Sequence, residues 1–301
     1  MKAFRPLLLA LTAVLAGGAI ASAQDAMSSP PKVIQIMREW IKPGKAGMAH
    51  DRSEAAFVSL MNRAKLQGHY VALNSMSGKS RALYVTRYPS YEAWEADNKT
   101  LEKSAAFSSE LDRAIANDGE LLEGTDSAVF TYDERLSYHP RPDLSHARYY
   151  ELSVFHVRPG HAKEWSEVVK MYKDACDKAG NGAHWGMYQA AFGIEAGTYI
   201  ALTHRAALAE FDTDMANGAK FVEAMGGEEA MQKFDELFGQ AVDTSRTELF
   251  SINPRQSYAE EEWIKADPDF WKPKPRAPEA AAAKPAAPKT IPPATSKSGT
   301  R

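Results

Sequence analysis

The sequence contains one pattern twice, with the two copies about 115 residues apart. A strand-like run ends in Ile41-Lys42-Pro43-Gly44-Lys45 in the first half and in Val157-Arg158-Pro159-Gly160-His161 in the second. Further on, Gly68-His69-Tyr70-Val71 is matched by Ala183-His184-Trp185-Gly186. Because these landmarks keep a nearly constant spacing, we interpret the chain as two tandem copies of one folding unit.

Each copy predicts the element order βαββαβ. Pro-Gly interrupts the first strand and starts a turn into a helix. The third strand is assigned to Tyr84-Val85-Thr86 and to Tyr199-Ile200-Ala201, at the same spacing of 115 residues. The order βαββαβ is that of the ferredoxin-like unit, a four-stranded antiparallel sheet with both helices on one face. Helices are expected over 54–65 and 162–178, further helical regions over 91–117 and 207–242, and closing strands over 128–132 and 247–252.

The first strand predicts how the two units associate. Its apolar residues occur at both parities, so both faces of the strand require cover from water. Helices cover one face, and the sheet of the other unit can cover the second. The apolar residues are Val33, Met37 and Ile41 on one face, and Ile34, Ile36 and Trp40 on the other.

The Pro-Gly turns at Pro43-Gly44 and Pro159-Gly160 resemble those of the dimeric α+β barrel superfamily, in its antibiotic-biosynthesis-monooxygenase-like and NIPSNAP-like forms. The resemblance implies a pseudo-dimeric α+β barrel. Members of the superfamily include cofactor-free oxygenases, haem-binding enzymes, small-molecule isomerases and proteins of unknown role. None of their catalytic motifs maps onto this sequence, so the resemblance assigns no catalytic residue.

The N-terminus has the pattern of a cleavable signal peptide over residues 1–23. Lys2 and Arg5 precede an apolar run, and Ala21-Ser22-Ala23 fits the small-x-small cleavage rule. The apolar run is short for a membrane span. We expect cleavage after Ala23 and, for a bacterial source, a periplasmic or secreted protein.

The remaining boundaries follow from composition. We place the first repeat at 32–137, the second at 147–255, a C-terminal strap at 256–271 and a tail at 272–301. The tail holds seven prolines and eight alanines, a composition typical of disorder, and it carries a net charge of +6. This basic tail is a spacer, an arm that touches acidic cell-surface material, or a tail that only keeps the protein in solution.

Charge and cysteine content restrict the function. Acidic residues outnumber basic ones by eleven between residues 24 and 271, which argues against a nucleic-acid partner. Cys176 is the single cysteine, so an internal disulfide is excluded, and its helical surroundings favour a buried, inert thiol. No membrane span is expected after the N-terminus, and homo-oligomerisation stays open.

Histidines and aromatic residues supply the candidates for ligand binding. Histidine beside an aromatic residue can bind a metal, haem or an aromatic ligand, but a position shared by both copies also suits a structural role. If the histidines of the second copy converge on one sheet, a proton-transfer or metal site becomes available. The candidates are His69, His156, His184, Trp185, Tyr188 and His204.

The sequence contains no metal-binding, phosphate-binding or nucleophile motif. We therefore expect a protein that binds a small apolar or aromatic molecule in a barrel pocket, with no cofactor and no obligatory metal. The alternative is a cofactor-free or haem-linked oxygenase-like enzyme. A structural self-association module is a third interpretation.

Overall fold

The protein is described by a computed structural model over residues 29–273, which contain eight strands and nine helices. The predicted signal peptide (1–23) and almost all of the predicted tail (272–301) lie outside the described residues. Within the described residues, none of the helices is both long and apolar enough to cross a membrane.

The first half of the chain has the element order βαββααβ, in which two consecutive helices precede the last strand. Its elements are β1 (Val33–Ile41), α1 (Met48–Ala64), β2 (Tyr70–Ser75), β3 (Arg81–Tyr88), α2 (Tyr91–Glu102), α3 (Ala105–Gly119) and β4 (Leu122–Tyr132).

The second half repeats this order with three consecutive helices before its last strand, and two short helices follow. Its elements are β5 (Tyr149–Val157), α4 (Ala162–Ala179), β6 (Gly186–Phe192), β7 (Thr198–Arg205), α5 (Ala209–Ala216), α6 (Gly218–Met225), α7 (Glu228–Ala241) and β8 (Val242–Ile252), followed by α8 (Glu261–Ala266) and α9 (Pro268–Trp271).

All eight strands form one closed antiparallel barrel in the order β1-β3-β2-β8-β5-β7-β6-β4. The two halves are joined by pairing of β2 with β8 and of β4 with β6, so the edge strands of each sheet are hydrogen-bonded within the chain. The α+β barrel expected from the sequence is confirmed.

The inner face of the barrel is the largest apolar core. Every strand contributes buried side chains to it, including Ile34 of β1, Leu73 of β2, Ile200 of β7 and Phe250 of β8. The outer face of each sheet packs against the helices of its own half, with a separate core in each half. Both faces of β1 carry buried residues for this reason, as the parity of its residues predicts, but Met37 is 43% exposed and its expected cover is absent from the described residues.

The pairing register differs from the sequence alignment in the third strand. Met37 of β1 pairs with Tyr84, whereas Ser153, which occupies the same place in β5, pairs with Ala201. Ala201 is therefore the counterpart of Tyr84, and the alignment of Tyr84 with Tyr199 is wrong by two residues. The shift is even, so the residues keep their faces of the sheet.

The predicted helical regions are also corrected. Helix α1 begins at Met48, six residues before the predicted start. The region over 91–117 is two helices, because the Ser104 side chain accepts the Phe107 N–H and starts a new one. The region over 207–242 is three helices, and the last break is at Gly226 and Gly227, both with positive φ.

Residues 256–271 close one end of the barrel. Tyr258 forms an isolated bridge with Tyr70, and Trp263 and Trp271 enter the inner core beside Leu144 and Ala147. The Trp271 indole N–H donates to the Ser145 carbonyl oxygen at 2.8 Å. The C-terminal strap thus contributes to the same core as the strands.

Candidate functional site

A cavity of about 680 Å³ lies between the outer sheet face of the second half and its helices. This volume is within the range of small-molecule sites. Strands β5 and β7 form its floor with alternate residues, which lie on one face because side chains alternate along a strand. The floor includes Glu151, Ser153, Phe155, Ala201, Thr203 and Arg205.

Helix α4 supplies one wall of the cavity. Trp165, Val168, Val169 and Tyr172 lie on its cavity side at the i, i+3, i+4, i+7 spacing of one helix face. The helix ends at Gly180, whose positive φ of 57° favours glycine and whose N–H donates to the Cys176 carbonyl oxygen.

Aromatic rings dominate the lining. The ring centroids of Phe155 and Trp165 are 5.0 Å apart, and those of Tyr172 and Phe221 are also 5.0 Å apart. Tyr172 further meets Trp185 at 5.7 Å in an edge-to-face arrangement. These distances are those of favourable aromatic pairs, so the cavity presents apolar ring faces and edges to a ligand.

One end of the cavity is charged. The Arg205 guanidinium donates to Glu151 at 3.0 Å, pairs with Asp214 at 2.8 Å and lies 4.1 Å from the centre of the Phe211 ring. Glu210 lies 4.0 Å from the same guanidinium, so the cavity lining has three carboxylates against the two guanidinium groups of Arg205 and Arg141, an excess of one negative charge. The site therefore favours a neutral or cationic ligand over an anionic one.

Two N–H donors in the cavity lining have no hydrogen-bond partner among the described residues. They are Nε of Arg205 and Nε1 of Trp165, and both atoms are buried. An unsatisfied buried donor is unfavourable, and an oxygen acceptor on a ligand would relieve this cost once a small side-chain movement exposes the N–H to the cavity.

Two of the residues predicted from sequence line this cavity. His184 lies at its edge with Nε2 3.0 Å from the His204 carbonyl oxygen, and burial lowers the pKa of this imidazole. Trp185 donates its indole N–H to the Leu136 carbonyl oxygen at 2.8 Å. Polar atoms of both side chains make hydrogen bonds with backbone carbonyl groups, and the two rings form part of the cavity wall.

His204 and His156 lie at opposite ends of the β5–β7 ladder. The ring of His204 is 5.3 Å from that of His184, and its Nε2 is 2.8 Å from the Arg141 carbonyl oxygen. In this ladder His204 pairs with Tyr150, and His156 pairs with Thr198. Tyr150 and His156 are six residues apart along β5, which places His204 and His156 about 20 Å apart. Two of the three histidines are therefore neighbours and the third is remote, so the three do not form one site.

The other two candidates lie elsewhere. Tyr188 is buried in the inner core of the barrel, edge-to-face with Tyr132 at 5.4 Å. His69 belongs to the first half, where it stacks on Tyr258 at 4.2 Å and places Nδ1 3.2 Å from the Tyr258 carbonyl oxygen. Neither side chain lines the cavity.

The described lining of the cavity offers haem no free imidazole or thiolate. Haem iron requires an axial ligand, usually an imidazole or a thiolate. His184 is the one histidine in the lining, and its Nε2 is held at the His204 carbonyl oxygen. Cys176 is a buried residue of helix α4 that does not line the cavity, and burial raises the pKa of its thiol to about 11.

A second polar constellation, here called the polar cluster, lies in the first half between β1 and helices α1 and α3. Its side chains are buried, and one donor atom from each lies within 4.8 Å of the others. Burial raises the pKa of the Glu54 carboxyl to about 9, and it also raises that of Glu39. The polar cluster consists of Glu39, His50, Glu54 and Asp118.

Sequence reasoning missed the polar cluster because its members come from three elements with no motif spacing. One signal was present: Glu39 lies on the same strand face as Val33 and Ile41, in a strand that has to be covered on both sides. An acidic residue at such a position indicates a buried polar partner.

No protein-family model and no curated relative matches the chain. Solved structures of similar fold include a candidate monooxygenase from Fusobacterium nucleatum (13% identity, TM-score 0.49, 74% of this chain and 93% of that chain). Another is an anthrone oxidase-like protein, with 11% identity and a TM-score of 0.49 over 76% of this chain and 95% of that chain. A third is a chlorite dismutase variant from Candidatus Nitrospira defluvii, with 10% identity and a TM-score of 0.45 over 81% of this chain and 99% of that chain. At these identities and TM-scores the similarities say nothing about activity, and the topology described above defines the fold.

Proposed function

We propose that the second half of this α+β barrel binds a small, planar, neutral aromatic molecule that carries an oxygen acceptor. The observation that carries the proposal is the 680 Å³ cavity whose aromatic lining contains two unpartnered N–H donors. Aromatic side chains favour a flat apolar ligand, and the donors favour a hydroxyl or carbonyl group on it.

Binding is favoured over catalysis by the state of the polar groups in the cavity. Glu151 and Asp214 are paired with Arg205, and Nε2 of His184 is directed at a backbone carbonyl. A general base requires free access to a substrate proton, which these contacts restrict. Oxygen uptake with hydroxylated naphthalenes as substrates would revive the oxygenase alternative.

Titration with 2-naphthol, monitored by tryptophan fluorescence, tests the proposal, because Trp165 and Trp185 line the cavity. Ala201→Leu places extra volume on the cavity floor, and we expect it to weaken binding about tenfold or more. Ala191→Leu is the matched control, since Ala191 is exposed on β6. Equal affinity in both variants, or no binding by the native chain, would refute the cavity as the binding site.

The donor assignment has its own test. Trp165→Phe keeps an aromatic ring but removes the indole N–H, which has no protein partner. We expect the variant to lose affinity for 2-naphthol by about three- to tenfold and to bind naphthalene as the native chain does. An equal loss for both compounds would indicate that the ring, and not the N–H, is what matters.

We also propose that the two halves arose by tandem duplication, with boundaries near 32–137 and 147–255. The shared element order and the repeated Pro-Gly turn support this interpretation. An experimental structure in which the strands of the two halves fail to superimpose would contradict it.

A further inference from the structure

We propose that the polar cluster binds one divalent transition-metal ion. The proposal is independent of the ligand cavity, because the polar cluster lies in the other half of the barrel and shares no residue with it.

The first argument is the convergence of donor atoms on one point. Nε2 of His50 lies 3.1 Å from Oε2 of Glu39, 3.8 Å from Oε1 of Glu54 and 3.9 Å from Oδ1 of Asp118. Metal–ligand bonds of about 2.0–2.2 Å place neighbouring donors about 3–4 Å apart. The four donors are therefore near coordination distances, and small side-chain movements would bring them onto one ion.

The second argument is that two of these donors lack partners. Oε1 of Glu54 and Oδ1 of Asp118 are buried and accept no hydrogen bond of ordinary geometry from the described residues, and the Tyr84 hydroxyl, buried beside Glu39 and Glu54, makes none either. Each residue is 3% exposed. Buried polar atoms are normally satisfied, and a cation placed between the two oxygens would satisfy both.

The third argument is charge. Three carboxylates face one imidazole in a space closed to water. Such a concentration of acidic groups is costly unless cations or protons neutralise it. A doubly charged ion offsets two of the three negative charges and uses every donor.

The donor set indicates the class of metal. Three carboxylates and one imidazole suit Mn²⁺, Fe²⁺ or Zn²⁺, whereas Mg²⁺ and Ca²⁺ prefer oxygen ligands alone. The absence of thiolate from the donor set disfavours Cu⁺.

Residues behind the imidazole hold it in place. The amide Nε2 of Gln256 lies 3.2 Å from Nδ1 of His50 and donates to Asp51 at 2.9 Å. Metal binding at Nε2 moves the ring proton to Nδ1. If the amide turns over, the Gln256 carbonyl oxygen, which has no partner among the described residues, can accept a hydrogen bond from Nδ1–H, and Asp51 gives up its bond from the amide nitrogen.

In the second half of the chain, aromatic residues occupy the position that corresponds to the polar cluster. Phe155 occupies the position of Glu39 and packs against Trp165 of the first helix and Phe238 of the last one. In the first half, Glu39 meets His50 of the first helix and Asp118 of the last one. One half has aromatic rings where the other has metal-binding groups, which is the pattern expected of two different sites.

Metal analysis of the refolded chain tests the proposal. The protein is unfolded with a chelator, refolded with one equivalent of Zn²⁺ or Co²⁺ so that a buried site can load, and desalted. We expect about one ion per chain in the native protein and in Glu120→Gln, whose carboxylate is exposed two residues from Asp118. Glu54→Gln and Asp118→Asn keep the side-chain shape and should retain less than about a fifth of that amount.

The Co²⁺ form adds a spectroscopic readout, since its visible absorption reports nitrogen and oxygen coordination. Circular dichroism and thermal melts of the metal-free variants establish that they fold. Folded variants that retain as much metal as the native chain would overturn the proposal. So would a native chain that retains none, which would identify the polar cluster as carboxyl groups that share protons.

Discussion

Replacing Trp263 by alanine should cost the protein a large part of its stability. Trp263 is 0% exposed, its ring lies 5.3 Å from that of Trp271, and the Arg87 guanidinium sits 4.9 Å from its centre. It belongs to the same apolar core as residues from all eight strands. The C-terminal strap should therefore unfold together with the barrel.

The magnitude follows from the buried area. A buried tryptophan removes about 200 Å² from water, which at about 25 cal/mol per Å² gives about 5 kcal/mol as an upper value. Measured Trp→Ala changes in cores cost about 3–5 kcal/mol. We expect Trp263→Ala to lower the free energy of unfolding by about 4 kcal/mol, a substantial share of the 5–15 kcal/mol typical of native proteins.

Urea denaturation monitored by circular dichroism measures this change. The control is Phe192→Ala, which removes an aromatic ring that is 62% exposed on β6 and should cost less than about 1 kcal/mol. A loss in Trp263→Ala no larger than that of the control would refute the reasoning. A lower slope of free energy against urea would show that the strap detaches while the barrel stays folded.

Three further predictions address a turn, a pH effect and export. Gly193→Ala should lower the free energy of unfolding, measured by thermal melting, by about 2 kcal/mol or more, because φ is +78° and a Cβ would lie 2.3 Å from the Ser127 carbonyl oxygen. The control Gly44→Ala has a similar φ but open space around it and should lower that free energy by about 1 kcal/mol. Equal losses in the two variants would contradict the clash. Burial lowers the pKa of His204 from 6.5 to about 4, so the unfolded chain binds this proton more readily than the folded chain and the free energy of unfolding decreases as the pH falls from 6.5 to 4. In urea titrations, His204→Gln should make that decrease smaller by about 2 kcal/mol. An unchanged decrease in the variant would contradict the assignment. N-terminal sequencing of the chain expressed in an exporting bacterium should begin at Gln24, and a mature chain that begins at Met1 would contradict cleavage.

The sequence predicted two units that pack sheet against sheet because the first strand is constrained on both faces, and the resemblance to the dimeric α+β barrel superfamily implied the barrel. Pro43-Gly44 and Pro159-Gly160 marked equivalent strand ends, and the parity of β1 required cover on two sides. These are local signals that survive without tertiary information. The breaks at Ser104 and at Gly226 are local signals as well, a capping side chain and a positive φ, but helical composition on both sides concealed them.

The site was harder to predict because it depends on which elements meet in space. The polar cluster joins Glu39 to Asp118 across 79 positions of sequence, and no spacing rule connects a strand to the end of a distant helix. The histidines were chosen as candidates because imidazole can bind ligands and transfer protons, but His156 and His204 lie at opposite ends of one strand pair. Adjacency in sequence found Trp185 in the cavity wall but could not give the direction of the His184 ring.

Closing the barrel within one polypeptide has a consequence for how such a protein can evolve. In a symmetric pair of identical chains every substitution appears twice, so a change that improves one site is imposed on the other. Here β2–β8 and β4–β6 join two unlike halves of a single chain. Each half is therefore free to specialise, and an aromatic cavity can develop on one side while acidic groups accumulate on the other.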